Sequence, residues 1–387
     1  MSSRGTLSRG RKNIGGSNRG AAESAKNSPS ASVNLSLFDQ SESRATPDSA
    51  FTSSNPRTIS PRSTKFTKLV LNPRGIFIND TNTIVPSAFS HFRTPQPSPG
   101  ETIDYTTIPG LAGANIWVSL DGRSVGDIVA EYREMRALNL CEEEFATFAK
   151  ENFLRGDLRS RRVVEDRTWR SERMLQLVCP PKESAHWRIP PLFDSGSGAT
   201  LGVELDWSWD IRPDCAYWLS LKGFNPKYRF QIQNCTFVRD WITCPYFTIE
   251  FKRDGESEDV AVRQVCAAGA LALFNRHHLY CEARRTVSLV DDREGVRHYG
   301  LTFVGHKFVF WVLNPTCDEA GRWTGCVMTR LFGADCTDEY AVQELADWIN
   351  EIHRWGLSWY GPGCERDIKS VLNAGGLRTS SVHEAVG

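Results

Sequence analysis

The sequence of 387 residues predicts a mixed α/β (α+β) fold, in which a mixed β-sheet is flanked by helices. Three observations lead to this prediction. Apolar residues recur at helical spacing from residue 124 to about residue 178. Short runs rich in β-branched and aromatic residues follow and end at residue 252. A long helical segment then separates these runs from two more, so that helices can cover both faces of one sheet.

Residues 1–65 are predicted to form a disordered, basic tail, because Ser, Gly, Asn, Pro and Thr dominate and few large apolar side chains are present. The first 100 residues contain 13 Lys and Arg against 5 Asp and Glu, and the rest of this neutral chain is correspondingly acidic. A basic cluster in the tail can contact nucleic acid, act as a nuclear-import signal or simply be solvated. A mitochondrial transit peptide is disfavoured by the glycine content and the missing apolar face. The cluster comprises Arg4, Arg9, Arg11, Lys12 and Arg19.

Residues 66–110 are predicted to form an arm that packs on the main domain. Apolar residues return from Lys68 to Phe92, and a bridge rich in Pro, Ser and Thr follows them. The main domain is expected over residues 111–375. Residues 376–387 are expected to be disordered, like the tail.

Three helices are predicted at the start of the main domain. The first begins after Ser124, which is a plausible N-cap, and the second begins near Cys141 with three acidic residues in its first turn. The third runs from about Glu165 to Val178 and ends before a Pro-Pro pair.

Strands are predicted next, around 200–209, 215–221, 230–238 and 246–252. A helix over residues 257–285 follows, and its small residues allow a close approach to the sheet. Two further strands, 296–304 and 306–314, form a hairpin around Gly305, and a last helix is expected to stop at Gly356.

The composition restricts the class of protein. The eleven cysteines contain no Cys-x-x-Cys pair, and their odd number favours reduced thiols over a disulfide framework or a zinc cage. No apolar run approaches the roughly 18–20 residues of a membrane span, and the N-terminal region lacks the apolar core of a signal peptide. We therefore expect a soluble protein without membrane contact, in the nucleus or the cytoplasm.

The segment CPYFTIEFKRDG, residues 244–255, contains the main candidate for a functional site. Alternation along a strand places Glu250 and Lys252 on one surface. Asp214 opens another predicted strand 36 residues earlier and can lie beside Glu250 if the two strands pair. Two close carboxylates select a hard divalent cation such as Mg²⁺ or Mn²⁺, and an adjacent amine can orient the attacking water and stabilise charge on a phosphorane-like state. This combination predicts a phosphodiester hydrolysis site.

Pro213-Asp214, followed by Glu250-Phe251-Lys252 and a helix rich in small residues, resembles the PD-(D/E)XK nuclease superfamily. The chain looks most like the nuclease-like proteins of that superfamily in filamentous fungi. The resemblance covers roughly residues 163–314 and implies an α-β-β-β-α-β core. It also implies that Asp214 and Glu250 bind Mg²⁺ or Mn²⁺, that Lys252 positions water, and that the substrate is a nucleic acid, DNA rather than RNA.

The same resemblance implies two further contributions to the site. Many relatives supply a Glu from the helix before the first core strand, and Glu165 and Glu172 are the candidates in this chain, with Glu165 slightly preferred. Gln264 lies where many relatives have a Gln followed four residues later by Tyr. Ala268 occupies that second position here, which leaves the role of Gln264 open.

Each of these features has a simpler explanation. Glu250 and Lys252 can form a salt bridge on a solvated strand face, and the acidic main domain favours a catalytically silent protein of the same fold that binds nucleic acid or a protein partner. A second triplet of this type, Asp367-Ile368-Lys369, occurs near the C-terminus.

Two other clusters of residues are candidates for binding sites. His277 and His278 near Cys281 have a spacing that suggests a metal site, although a polar pair at a helix end explains them more simply. Four tryptophans can stack bases, although aromatic residues at the centre of a strand-rich region usually belong to the core. The four are Trp207, Trp209, Trp218 and Trp241.

Overall fold

The computed structural model describes a discontinuous set of residues, all within the unit Ser54–Gly387. Most of the tail predicted over residues 1–65 lies outside this set, as do most of the predicted strand at 200–209 and most of the predicted C-terminal segment 376–387. For residues 170–174 only the backbone is described. The described residues are 59–81, 87–98, 101–109, 111, 113–120, 124–156, 170–174, 186–193, 207, 209, 211–221, 224, 228–286 and 295–377.

A mixed sheet forms the centre of the fold. Seven strands lie in the order β1-β8-β7-β6-β5-β3-β2, and β4 pairs with β5 beside this path. The pairs β5–β6 and β1–β8 are parallel, and the other pairs are antiparallel. The strands are β1 (Ile76–Asn79), β2 (Arg170–Met174), β3 (Cys215–Ser220), β4 (Val238–Arg239), β5 (Ile242–Lys252), β6 (His298–Val304), β7 (Lys307–Cys317) and β8 (Trp323–Asp335).

Helices lie on both faces of this sheet. The longest, α5, connects the parallel neighbours β5 and β6, because a parallel pair requires a crossover. The helices are α1 (Ala88–His91), α2 (Val125–Ala137), α3 (Glu142–Asn152), α4 (Arg229–Ile232), α5 (Glu258–Thr286), α6 (Glu339–Trp355) and α7 (Gly361–Ala374). Short π-helical segments precede α1 at Thr67–Leu71 and join α6 to α7 at Gly356–Tyr360.

Two hydrophobic cores lie on opposite faces of the sheet. On one face, Tyr132 of α2, Phe145 of α3 and Trp348 of α6 belong to one buried cluster. On the other face, the small and branched residues of α5 pack on the sheet, with Val265 and Leu271 among them. Alternate residues of β7 belong to alternate clusters, as the period of a strand requires. The strands between the two cores are therefore buried on both sides.

Several predicted elements are confirmed. Ser124 caps α2 by accepting a hydrogen bond from the Asp127 amide, and α3, β3, β5, α5 and the hairpin around Gly305 occur close to their predicted bounds. The mixed sheet flanked by helices agrees with the predicted fold class. The arm predicted at residues 66–110 contributes β1, which pairs in parallel with β8 at the edge of the sheet.

Other predictions of secondary structure are wrong. Residues 170–174, predicted within a helix, form β2, which pairs with β3. The strand expected around 230–238 begins instead as the short helix α4. β8 was not predicted at all. The helix expected to stop at Gly356 continues into a π-helical segment, and Gly356 has ordinary right-handed helical angles. A Cβ at this position would lie 2.5 Å from the Tyr246 ring, so the glycine permits close packing rather than ending a helix.

Candidate active site

The strand β5 carries the two central residues of the site. Alternating apolar side chains and β-branched residues favour a strand here, and the neighbours β3 and β6 pair with it on either side. Every residue of β5 is buried; Glu250 is 2 % exposed and Lys252 is 5 % exposed. The simpler explanation is correct in that the two side chains form an ion pair, at 3.9 Å, and wrong in that they are buried rather than on a solvated strand face.

Asp214 lies beside Glu250, as the sequence predicts. Cys215 pairs with Ile249 in the antiparallel register of β3 and β5, so Asp214, the residue just before β3, comes level with Glu250. The Phe251 amide donates a hydrogen bond of 2.8 Å to Asp214 Oδ2. This bond holds the carboxylate of Asp214 against the end of β5.

Lys252 lies among three carboxylates. Its Nζ is 3.9 Å from Asp214 Oδ2, 3.9 Å from Glu250 Oε2 and 4.0 Å from Glu142 Oε1. It also donates a hydrogen bond to the backbone carbonyl of Phe251. A buried ammonium group is costly unless anionic groups compensate its charge, and this arrangement supplies them.

Glu142 is the member of the site that the sequence did not predict. It is the first residue of α3, and its carboxylate accepts a hydrogen bond from the Arg253 backbone amide just after β5. From the sequence, the three acids at the start of α3 are explained by their favourable interaction with the helix dipole. The signal in the sequence is the run of three acids at the start of α3, which does not single out Glu142.

Burial and like charges govern protonation in the site. Burial raises the pKa of Glu250 well above its usual range, and the Asp214 carboxylate raises it further, while the Lys252 ammonium opposes both effects. Burial also raises the pKa of Glu142, and Lys252 again acts in the opposite direction. Carboxyl groups whose pKa values are raised by burial and by each other are typical of functional sites.

The other predicted site residues are less well placed. Glu165 lies outside the described residues. Glu172 is in β2 rather than in a helix and pairs with Trp218, so its predicted place on a helix face is wrong. Gln264 is on α5 as predicted, and its Oε1 is buried without a hydrogen-bond partner among the described residues.

The remaining sequence features mostly belong to the core or to other interactions. Trp209 and Trp218 are buried and Trp207 packs against the same cluster, which confirms their core role. Trp241 is exposed and lies against the Arg229 guanidinium, 5.1 Å from the ring centroid. In the second triplet, Asp367 is fully buried and bound by Arg276 and Arg284 of α5.

The oxygen atoms of the carboxylates decide whether this site is suited to a metal ion. Among the described residues, no group of three or more His, Cys, Asp or Glu side chains is placed so that it could hold a metal ion. Glu250 Oε2 is nevertheless buried and accepts no hydrogen bond within the described part of the chain. An orphaned buried carboxylate oxygen next to a second carboxylate offers the hard oxygen ligands that Mg²⁺ and Mn²⁺ prefer.

Comparisons of the chain with protein-family models, with curated proteins and with solved structures gave no match. The resemblance to PD-(D/E)XK nucleases thus rests on the motif residues of the sequence alone. Within the described ranges, no helix has the length and apolar character needed to cross a membrane.

Proposed function

We propose that the protein is a metal-dependent nuclease that hydrolyses phosphodiester bonds, with DNA as the preferred substrate. The observation that carries this proposal is the position of the Lys252 ammonium, within 4.0 Å of the carboxylates of Glu142, Asp214 and Glu250. Glu142 begins α3, Asp214 lies just before β3, and Glu250 and Lys252 are in β5, which pairs with β3. Three acids and an amine gathered from distant parts of the chain are the groups that this chemistry requires.

Asp214 and Glu250 would hold Mg²⁺ or Mn²⁺, with Glu142 as a further oxygen ligand. The cation would supply Lewis-acid stabilisation of charge on the phosphate oxygens. Lys252 donates hydrogen bonds that orient a water molecule toward phosphorus, and its charge stabilises the negative charge that develops during attack. Hydrolysis forms one P–O bond from water and breaks the P–O bond to the leaving sugar oxygen.

Exposure favours approach of the substrate from one side. The side chains of Asp214 and Glu142 are 35 % and 40 % exposed, whereas Glu250 and Lys252 are almost completely buried. A phosphodiester group would reach the site over Asp214 and Glu142 and meet Lys252 beneath them. Glu250 can therefore remain in a desolvated environment, where its electrostatic effect is strongest.

One observation favours a catalytically silent binding protein as the second candidate. The Lys252 ammonium lies among the three carboxylates in the place where a cation would neutralise them, and no group of three His, Cys, Asp or Glu side chains among the described residues is placed to hold a metal ion. The lysine would then be a permanent substitute for the cation. In that case the protein would bind nucleic acid or a protein partner without cutting.

Cleavage assays distinguish the two candidates. The full-length protein is incubated with plasmid, single-stranded DNA and RNA, in Mn²⁺, in Mg²⁺ and in excess chelator. We expect cleavage that requires the metal, that favours DNA and that is abolished in Asp214→Asn, which keeps the shape of the side chain but removes a negative charge. Binding of the substrates without cleavage in either metal would support the silent protein instead.

A further inference from the structure

Two large aromatic side chains lie exposed near the start of β5, at the opposite end of this strand from the carboxylate site. Trp241 is 51 % exposed and Phe230 is 78 % exposed. Neither side chain belongs to either of the two hydrophobic cores formed by the described residues. Large apolar side chains that are gathered on the surface and take no part in a core are typical of interaction sites.

An arginine joins the two aromatic residues into one surface. The Arg229 guanidinium lies over the Trp241 ring, 5.1 Å from its centroid, and Phe230 follows Arg229 directly in α4. Arg229 also donates a hydrogen bond of 3.5 Å to the Phe224 carbonyl, which helps to hold its side chain in this position. We call these three residues, Arg229, Phe230 and Trp241, together with Arg239 of β4, the aromatic surface.

Trp241 occupies a place where the fold does not require an aromatic side chain. It is the second residue of the two-residue turn between β4 and β5, since Arg239 pairs with Ile242. The first residue of the turn, Asp240, has a left-handed φ of 51°, as a tight hairpin often requires. The Leu221 amide donates a hydrogen bond of 2.7 Å to the Trp241 carbonyl. The turn is therefore fixed against the end of β3, with the Trp241 ring directed to solvent.

The sequence around the aromatic surface is basic. Residues 221–241 contain four Lys and Arg against one Asp, whereas the chain after residue 100 has more acids than bases. Two of these four cations, Arg229 and Arg239, are among the described residues. Arg239 lies 3.8 Å from the carboxylate of Asp240, but that side chain is 82 % exposed, so the pair neutralises little of the positive charge. Charge complementarity therefore favours an anionic partner.

We propose that the aromatic surface binds the unpaired bases of a nucleic-acid strand. Trp241 and Phe230 stack on the bases, and the two arginines neutralise neighbouring phosphates. The bases must be unpaired, because in a duplex the faces of each base are covered by its neighbours. A nucleic-acid strand complements both the rings and the cations, whereas an acidic protein surface would complement the cations alone.

This proposal extends the proposed function and rests on its assumption that the partner is a nucleic acid, but it does not require cleavage. The strand β5 separates Ile242, next to the aromatic surface, from Glu250. At about 3.3 Å per residue this stretch of β5 is about 25 Å long. Binding of bases at the aromatic surface and chemistry at the carboxylate site can therefore be changed independently.

Binding of fluorescent oligonucleotides to the full-length protein tests the proposal, in excess chelator so that no metal-dependent cleavage occurs. One ligand is oligothymidine of about 12 nucleotides. The other is an abasic strand of the same length, which keeps the phosphates and lacks the bases. We expect the wild type to bind oligothymidine more tightly than the abasic strand. Any binding by the basic tail affects both strands alike, so the difference between them isolates stacking.

Variants of the aromatic surface should change this difference. Trp241→Ala should weaken the binding of oligothymidine about 5- to 100-fold and leave the binding of the abasic strand unchanged. Trp241→Phe, which keeps an aromatic ring, should restore most of the affinity. Arg239→Met should weaken the binding of both strands alike and reduce its dependence on salt. Phe77→Ala is the matched control, because Phe77 is 50 % exposed on β1, which three strands separate from β5.

Three results would overturn the proposal: equal binding of the two strands by the wild type, no binding of oligothymidine, or equal losses in Trp241→Ala and Phe77→Ala. Polyglutamate that displaces oligothymidine as well as a second oligothymidine does would also overturn it, in favour of an acidic protein partner. Asp214→Asn should bind both strands as the wild type does. Base-dependent binding without cleavage in any metal would contradict the proposed hydrolysis and leave this inference standing. Cleavage by the wild type, with unchanged binding in Trp241→Ala, would overturn this inference alone.

Discussion

The triplets Glu250-Phe251-Lys252 and Asp367-Ile368-Lys369 have the same pattern in the sequence but different environments in the fold. The first lies on β5, where residues two apart share a face, so its acid and amine meet at 3.9 Å. The second lies on α7, where residues two apart point about 200° apart. Asp367 binds Arg276 and Arg284, and Lys369 pairs with Glu365 one turn earlier. The element that carries a motif decides whether its residues act together.

The two acids also differ in how their charge is compensated. Asp367 is fully buried, with one oxygen 2.7 Å from Arg276 and the other 3.2 Å from Arg284. Glu250 is almost as buried, but the cation that lies near it among the described residues is 3.9 Å away and is shared with two other carboxylates. A fully paired buried acid is typical of a structural role, and an incompletely compensated one is typical of a site that binds something.

Removing the amine from each triplet should give the largest contrast. Lys252→Met should reduce cleavage by about 10²- to 10⁴-fold, the usual effect of losing a group that assists proton transfer and charge stabilisation. Lys369→Met should leave cleavage unchanged, because Lys369 pairs with Glu365 on α7 and is not one of the residues of the carboxylate site. The rate of plasmid cleavage in Mn²⁺ measures both. Equal rates for Lys252→Met and the wild type would make Lys252 a structural residue.

Removing the acid from the second triplet should affect stability rather than activity. Asp367→Asn leaves the buried Arg276 guanidinium without its anion, which should lower the free energy of unfolding by about 3–5 kcal/mol. Guanidinium chloride unfolding, followed by circular dichroism, measures the loss. Glu365→Gln is the control and should change stability by less than about 1 kcal/mol, because the Glu365–Lys369 pair is partly exposed. Similar losses in the two variants would contradict the structural role of Asp367.

Glu142 and its neighbour Glu143 allow a test within one helix turn. Glu142→Gln should weaken Mn²⁺ binding about 10- to 100-fold, if it is an oxygen ligand beside Asp214 and Lys252. Glu143→Gln should have no effect, because that side chain accepts a hydrogen bond from Thr147 on the helix surface. Isothermal titration calorimetry measures the affinity of each variant. An unchanged affinity in Glu142→Gln would exclude this residue from the metal ligands.

The smallest expected effect concerns pH. Because the folded protein raises the pKa of Glu250, the protonated carboxyl stabilises the fold below the unfolded pKa, and this contribution is lost as pH rises through the folded value. Stability should fall by at most about 1.4 kcal/mol per pH unit in that window. Glu250→Gln should remove this slope. Added Mg²⁺ should stabilise the wild type more at higher pH, where the cation no longer competes with the proton. Thermal unfolding between pH 5 and 9 measures both trends.

The parts of the site that depend on short stretches of sequence could be predicted. Phe247, Ile249 and Phe251 alternate with polar residues, so β5 and the common face of Glu250 and Lys252 follow from the period of a strand. The pairing of Asp214 with Glu250 came from the motif, and the register of β3 with β5 agrees with it. Both inferences depend only on short segments whose own pattern specifies their structure.

The features that the sequence does not predict depend on contacts between segments that are distant along the chain. Residues 170–174 have good helix formers among them, but pairing with β3 overrides that preference. β8 contains Gly325 and Gly333, which interrupt the apolar alternation, although Gly325 allows the chain to approach Gly75 closely. Glu142 reaches the site only because α3 packs so that its first turn meets the end of β5. No local pattern distinguishes it from Glu143 or Glu144.

The hydrogen bond from the Phe251 amide to Asp214 makes one backbone group of β5 a natural probe of the site. Glu250 and Lys252 flank Phe251 in the sequence, and its amide proton is bonded to one of the carboxylates of the site. Its nuclear magnetic resonance frequency and its rate of exchange with solvent deuterium depend on where the Asp214 carboxylate points. A ligand that draws the Asp214 carboxylate away from β5 would change the resonance frequency and the exchange rate of the Phe251 amide. Its binding could therefore be detected without a label on the ligand.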